Sequence, residues 1–196
     1  MRPRPPTHFE RAIELFEAAR ASHPAARVSA RLAEIMWDRG RMEHGLESMD
    51  KAFAVLAEDE PDADLAALAA QIGRFMFFAG QHELAIERLE SALDIAEALS
   101  LPQTLSEALN TKGIILFSRG RRAEGQALVH TTLDIALEHD KPSAALRAYY
   151  NLADETAQLD RYEEAADLQG PQAQPRLRLH LEAQPDDRLQ SRCARA

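Results

Sequence analysis

The chain has 196 residues, of which 45% are hydrophobic, 6% aromatic and 28% charged, and its formal net charge is -9. That length and apolar content suffice for one sizeable core, and the prominence of Ala, Leu, Glu and Arg favours helix over sheet. Residues 170–196 hold five Arg against three acids, leaving -11 on the rest, a body poorly matched to direct nucleic-acid binding.

The single Cys193 cannot form an intramolecular disulfide, so nothing in the sequence asks for an oxidising compartment. No apolar run approaches the roughly 18 residues that would span a membrane. The opening Met1-Arg2-Pro3-Arg4-Pro5-Pro6 leads into a charged helix rather than a signal-peptide core. A cytoplasmic protein with no membrane contact is the expectation, with residues 1–6 read as a disordered N-terminus.

Helical periodicity places helices at about 7–22, 26–39, 43–58, 63–79, 82–99, 103–119, 122–139, 143–159 and 161–169. Turns fall at Gly40, Gly80, Gly120 and Asp160, forty residues apart, and each is followed five residues later by Gly45, Ala85, Gly125 or Ala165. Seven residues before each turn stands another small residue: Ala33, Gly73, Gly113 or Ala153. Both helices of each hairpin therefore carry a notch, and pairs such as Gly73 with Ala85 and Gly113 with Gly125 predict close backbone approach. Connectors containing Pro61, Pro102 and Pro142 separate the hairpins, because proline fits the first turn of a helix and stops the one before it. After Leu168 the pattern gives way to a Pro-, Gln- and Arg-rich tail at 170–196. Its alternation Arg176-Leu177-Arg178-Leu179-His180-Leu181 lies between prolines and is read as disordered.

A hairpin repeat of this kind resembles the tetratricopeptide repeat family. The residues that carry the resemblance are Leu32-Ala33, Ile72-Gly73 and Leu152-Ala153 in first helices, then Met49 with Ala52, Leu89 with Ala92, and Val129 with Thr132 in second helices. Met42, His82 and Arg122 depart from the aromatic that follows the turn glycine, which only Tyr162 keeps. The period is 40 where 34 is usual, as in the longer variant of bacterial signalling and regulatory proteins, with the six extra residues expected in the connectors.

The resemblance implies an all-α, right-handed α-solenoid over residues 7–169, divided into a half repeat 7–25, repeats 26–65, 66–105 and 106–145, and a partial repeat 146–169. The cut ends suggest a fragment of a longer protein and self-association through uncovered terminal helices, with Phe9, Ile13 and Phe16 on the first of them.

In the family, first helices line a concave groove. Carried over by position, that groove takes Arg27, Arg31, Glu34 and Trp37 from the first full unit, then Gln71, Arg74, Phe77 and Phe78 from the second. Glu107, Asn110, Thr111, Ile114 and Phe117 follow, and Arg147, Tyr150, Asn151 and Asp154 come last. Trp37, Phe77 and Phe117 stand forty apart and are either hairpin packing or an apolar floor for a partner segment. The arginines either select acidic groups or pair with neighbouring carboxylates.

Catalytic chemistry has little support. The seven His are scattered without metal-ligand spacing, the glycines are single rather than a phosphate loop, and no serine sits in a nucleophile elbow. No cofactor is expected. His44 and His82 are read as solvated, and Glu58-Asp59-Glu60 and Asp154-Glu155 as solvated acidic faces. The expected function is a non-enzymatic protein- or peptide-binding scaffold, with a sensor arm of a signalling ATPase, cyclase-linked protein or transcription activator as the alternative.

Overall fold

The computed structural model describes residues 8–38 and 42–169. The turn at Gly40, the N-terminus 1–6 and the tail 170–196 lie outside the described residues. The described chain is all-α: α1 (His8–Ala18), α2 (Ser22–Asp38), α3 (Met42–Leu56), α4 (Ala63–Phe78), α5 (His82–Ala98), α6 (Pro102–Ser118), α7 (Arg122–Glu138), α8 (Pro142–Ala157) and α9 (Tyr162–Gln169).

Antiparallel hairpins pair α2 with α3, α4 with α5, α6 with α7 and α8 with α9, and each packs on the next to build an α-solenoid. The first helices α4, α6 and α8 also touch one another directly. That side is therefore the inside of the curve.

Small residues set the spacing within hairpins. A Cβ built on Gly73 would lie 2.7 Å from Leu89 Cγ and 3.1 Å from the Ala85 carbonyl oxygen, and one on Gly113 would lie 2.6 Å from Val129 Cγ2. Ala33, Ala85 and Ala153 are fully buried, so the predicted notches are real contacts. Around them Met49, Ile72, Leu89 and Ile115 form one apolar cluster, and Val129, Ala148, Tyr149 and Leu152 another. Burial also raises the Tyr149 phenol above its ordinary range.

The six extra residues of the repeat are not in the connectors after the second hairpin. Leu99–Leu101 and His139–Lys141 join consecutive hairpins in three residues, the same length as the turns Ala79–Gln81 and Arg119–Arg121 inside hairpins. Instead α5, α6 and α7 each run to 17 residues, and the forty-residue period is two nearly equal halves. Each of these four turns has a left-handed residue: Gly80 and Gly120 at φ 77° and 73°, but also Ser100 and Asp140 at 54° and 52°; Arg20 at 56° in the three-residue turn 19–21 and Asp160 at 60° in the four-residue turn 158–161 do the same. The amide of the following residue donates back five positions, from Gln81 to Met76, Leu101 to Ala96, Arg121 to Leu116 and Lys141 to Ala136. This closure satisfies the last free carbonyls of the helix.

The α3–α4 connector alone is long. It spans six residues, 57–62, and ends on Asp62, whose Oδ1 accepts from the Leu65 amide at 2.8 Å and caps α4.

Candidate functional site

Two depressions run along the inner face. The lower, about 330 Å³, is walled by Arg27, Arg31, Asp64, Leu68, Gln71 and Glu107. Arg27 is committed within the protein, because its guanidinium pairs with Asp62 at 2.9 Å and Asp64 at 2.5 Å. The Leu65 amide, together with Arg27, holds the Asp62 carboxyl below its ordinary range despite partial burial. Glu107 accepts from Gln103 Nε2 at 2.6 Å. Polar atoms here thus mostly satisfy one another.

The upper depression, about 460 Å³, is formed by α4, α6 and α8. Its wall contains Arg74, Phe77, Phe78, Asn110, Thr111, Ile114 and Phe117, with Arg147, Tyr150, Asn151, Asp154 and Glu155 from α8. Ser118 and Gln158 complete it at the turn end, two residues the sequence reading did not include. Of the expected groove residues, Glu34 and Trp37 lie on α2, and their side chains are outside the described set.

The aromatic positions serve both packing and surface. Phe77 is half-buried against the apolar cluster, with its ring centroid 5.2 Å from that of Phe78 and 5.3 Å from that of His82. His82 is therefore half-buried on Phe77 and not solvated as expected; His44 is exposed. Phe117 packs across its own hairpin, 2.6 Å from where a Gly125 Cβ would stand. Phe78 and Tyr150 remain 53% and 63% exposed, and Arg74 lies over the Phe78 ring at 5.6 Å.

Two amides cross the depression: Asn151 Nδ2 donates to Asn110 Oδ1 at 3.0 Å, and Asn110 is buried. Asp154 accepts from Gln158. The neighbouring Glu155 overturns the reading of Asp154-Glu155 as a solvated face. It is buried, its Oε1 forms an ion pair with Arg122 Nη1 at 2.9 Å, and the residue lines the same depression. The sequence signal for it was present in the forty-residue register, which aligns Glu155 with Phe75 and Ile115.

Among the described residues, no group of three or more His, Cys, Asp or Glu is placed to hold a metal ion. No described helix is long and apolar enough to cross a membrane.

No protein-family model matches the chain, and no curated protein matches it in sequence. Solved structures match the fold. A Rap protein complexed with Competence and Sporulation Factor is 20% identical with a TM-score of 0.75, covering 89% of this chain and 50% of its own. Aspartyl phosphate phosphatase F from Bacillus subtilis is 15% identical with a TM-score of 0.70, covering 91% and 46%. BtubC (BKLC) from P. vanneervenii is 17% identical with a TM-score of 0.61, covering 84% and 73%. The chain spans about half the length of the first two of these structures. These likenesses place it among helical repeat folds of tetratricopeptide type.

Proposed function

We propose that the chain is a non-enzymatic scaffold that binds a peptide or extended protein segment in the upper part of its concave groove. The carrying observation is the pairing of exposed Phe78 and Tyr150 with the Asn110–Asn151 amides in one depression. Flat apolar surface beside the half-buried Asn151 amide, which buried Asn110 holds in place, suits an extended chain, whose backbone needs hydrogen-bond partners and whose side chains need cover. The Rap structure bound to Competence and Sporulation Factor shares this fold and supports the reading. In this proposal the repeat belongs to the longer, forty-residue variant.

The test is affinity selection from a synthetic pool of pentapeptides, comparing the wild-type chain with a Phe78→Ala, Tyr150→Ala double variant. Both side chains are largely exposed, so the variant keeps its helical circular dichroism. Loss of the retained peptides is expected. An unchanged set would remove the groove as the binding surface.

The alternative, a regulatory arm of a larger signalling protein, draws its support from coverage of only 50% and 46% of the Rap and phosphatase F structures.

A further inference from the structure

Independently of the groove, we propose that the outer face of the solenoid carries a docking cleft for the chain's own segment Arg176-Leu177-Arg178-Leu179-His180-Leu181.

Charge separates the two faces of the array. The second helices α3, α5, α7 and α9 hold fourteen acidic residues against three basic ones, a net of -11. The first helices α2, α4, α6 and α8 hold six against five. The acidity of the body therefore lies on the outer side, and a basic segment is drawn there rather than into the groove.

On that side α3, the connector 57–62 and α5 frame an open cleft of about 670 Å³. Its apolar lining is Phe53, Pro61, Leu65, Ile86 and Ile95. Pro61 is exposed and Phe53, Ile86 and Ile95 are half-buried, so this apolar surface is reached from solvent. Exposed Asp59, Glu87, Glu90 and Asp94 stand around it. Glu90 pairs with Lys112 at 2.6 Å, whereas no ion pair joins Glu87 or Asp94 to another described residue. Arg88 is committed to Asp50 and to the Phe53 ring and is not part of the wall.

The cleft is not a by-product of the repeat. One unit later α7 carries Gln126, Ala127 and His130 in place of Ile86, Glu87 and Glu90. There too the connector between hairpins is three residues rather than six.

The segment matches this surface in pattern and length. In an extended chain Leu177, Leu179 and Leu181 share one side and Arg176, Arg178 and His180 the other. The outer leucines then stand about 13 Å apart at about 3.3 Å per residue. From Ile86 to Ile95 along α5 is also about 13 Å, at about 1.5 Å per residue. Arginines on flexible stems bend from the backbone to the carboxylates beside the floor. The direct contacts of α4 with α6 and α6 with α8 set successive hairpins about 10 Å apart, so α5 lies about 20 Å from α9. The twelve residues 170–181 reach about 40 Å.

The test titrates a capped, dye-labelled Arg-Leu-Arg-Leu-His-Leu peptide, followed by fluorescence anisotropy, into the full chain and into a Leu177→Ser, Leu179→Ser, Leu181→Ser variant. With its own segment disabled, the chain should bind the probe about tenfold or more tighter than wild type, where the segment competes. Adding Ile86→Gln and Glu87→Ala, the residues α7 carries at this place, should abolish the gain. Adding Glu87→Lys and Asp94→Lys, at exposed positions, should do the same without touching the packing. A peptide of equal composition with its leucines adjacent should bind about tenfold or more weaker. Phe78→Ala with Tyr150→Ala should change nothing.

Equal affinity of wild type and the serine variant, or no binding by either, overturns the chain's own segment as the occupant. Binding that survives both pairs of cleft substitutions, or that the rearranged peptide equals, overturns the cleft. Loss of binding in the Phe78→Ala, Tyr150→Ala background moves the segment to the groove and overturns the cleft likewise. A sedimentation coefficient that rises with concentration in wild type but not in the serine variant assigns the segment to a second copy and overturns docking within one chain.

Discussion

Gly113 and Gly125 bring α6 and α7 together backbone to backbone: a Cβ built on Gly125 would stand 2.7 Å from the Gly113 carbonyl oxygen, and one on Gly113 would stand 3.0 Å from that of Gly125. A carbonyl cannot rotate away as a side chain can. Gly125→Ala must therefore separate the helices as well as displace Phe117, and it is expected to cost about 1–3 kcal/mol despite the higher helix propensity of alanine. Ala85→Leu should cost a similar amount in the preceding hairpin, where Ala85 is fully buried. Urea unfolding followed at 222 nm checks both. Neutral outcomes would show that the hairpins open without penalty.

The left-handed turn residues give a paired prediction of opposite sign. Nothing lies within 4 Å of a Cβ built on Gly80, so Gly80→Ala meets no neighbour and is penalised only by its φ of 77°. A loss of about 1 kcal/mol is expected. Ser100 already carries that cost at φ 54°, and Ser100→Gly should recover about 0.5–1 kcal/mol after the added unfolded-state entropy. Thermal melts of the two variants should move in opposite directions.

These turns also mark how far the sequence could be read. Gly80 and Gly120 announced their turns because a left-handed backbone selects glycine. Ser100 and Asp140 adopt the same conformation with ordinary side chains, so the connectors were legible only through Pro102 and Pro142 and were expected to be too long. In the groove, the first-helix register grouped Arg74, Phe77, Asn110, Tyr150 and Asn151, and these five line one depression. Glu155 was missed because a glutamate beside an aspartate in a helix ordinarily faces water. Its alignment with Ile115 was the stronger signal, and charge patterning outweighed it.

Asp62 supplies a pH-dependent prediction. Its carboxylate caps α4 through the Leu65 amide and pairs with Arg27, which depress its ionisation below the ordinary value of 3.8. A depressed carboxyl adds stability above its unfolded-state value and loses it as pH falls through the folded-state value. Asp62→Ala should cost about 1 kcal/mol at pH 7, mostly through the cap, since the half-exposed ion pair contributes only a few tenths. Asp62→Asn keeps an acceptor and should cost less. Chemical denaturation from pH 7 to pH 3 should show the penalty of Asp62→Ala shrinking below the ordinary carboxylate range, and a penalty independent of pH would exclude the charged cap.

Phe77 and Phe78 are adjacent in sequence and separate packing from binding. Phe77 is held against the apolar cluster and the His82 ring, whereas Phe78 is 53% exposed. Phe77→Ala should lower stability by about 2 kcal/mol, below the roughly 3–5 kcal/mol of a fully buried phenylalanine. Phe78→Ala should leave the melt nearly unchanged and weaken peptide binding by more than about 1 kcal/mol, as expected of an interface anchor. Self-association provides the control, since Leu15 and Phe16 on α1 are 64% and 36% exposed. Polar substitutions at these two positions should reduce any oligomer seen by light scattering and leave peptide binding intact. An oligomer that persists through them but vanishes with Phe78→Ala would make the groove a contact between copies, and the weakened peptide binding would then report competition for that surface.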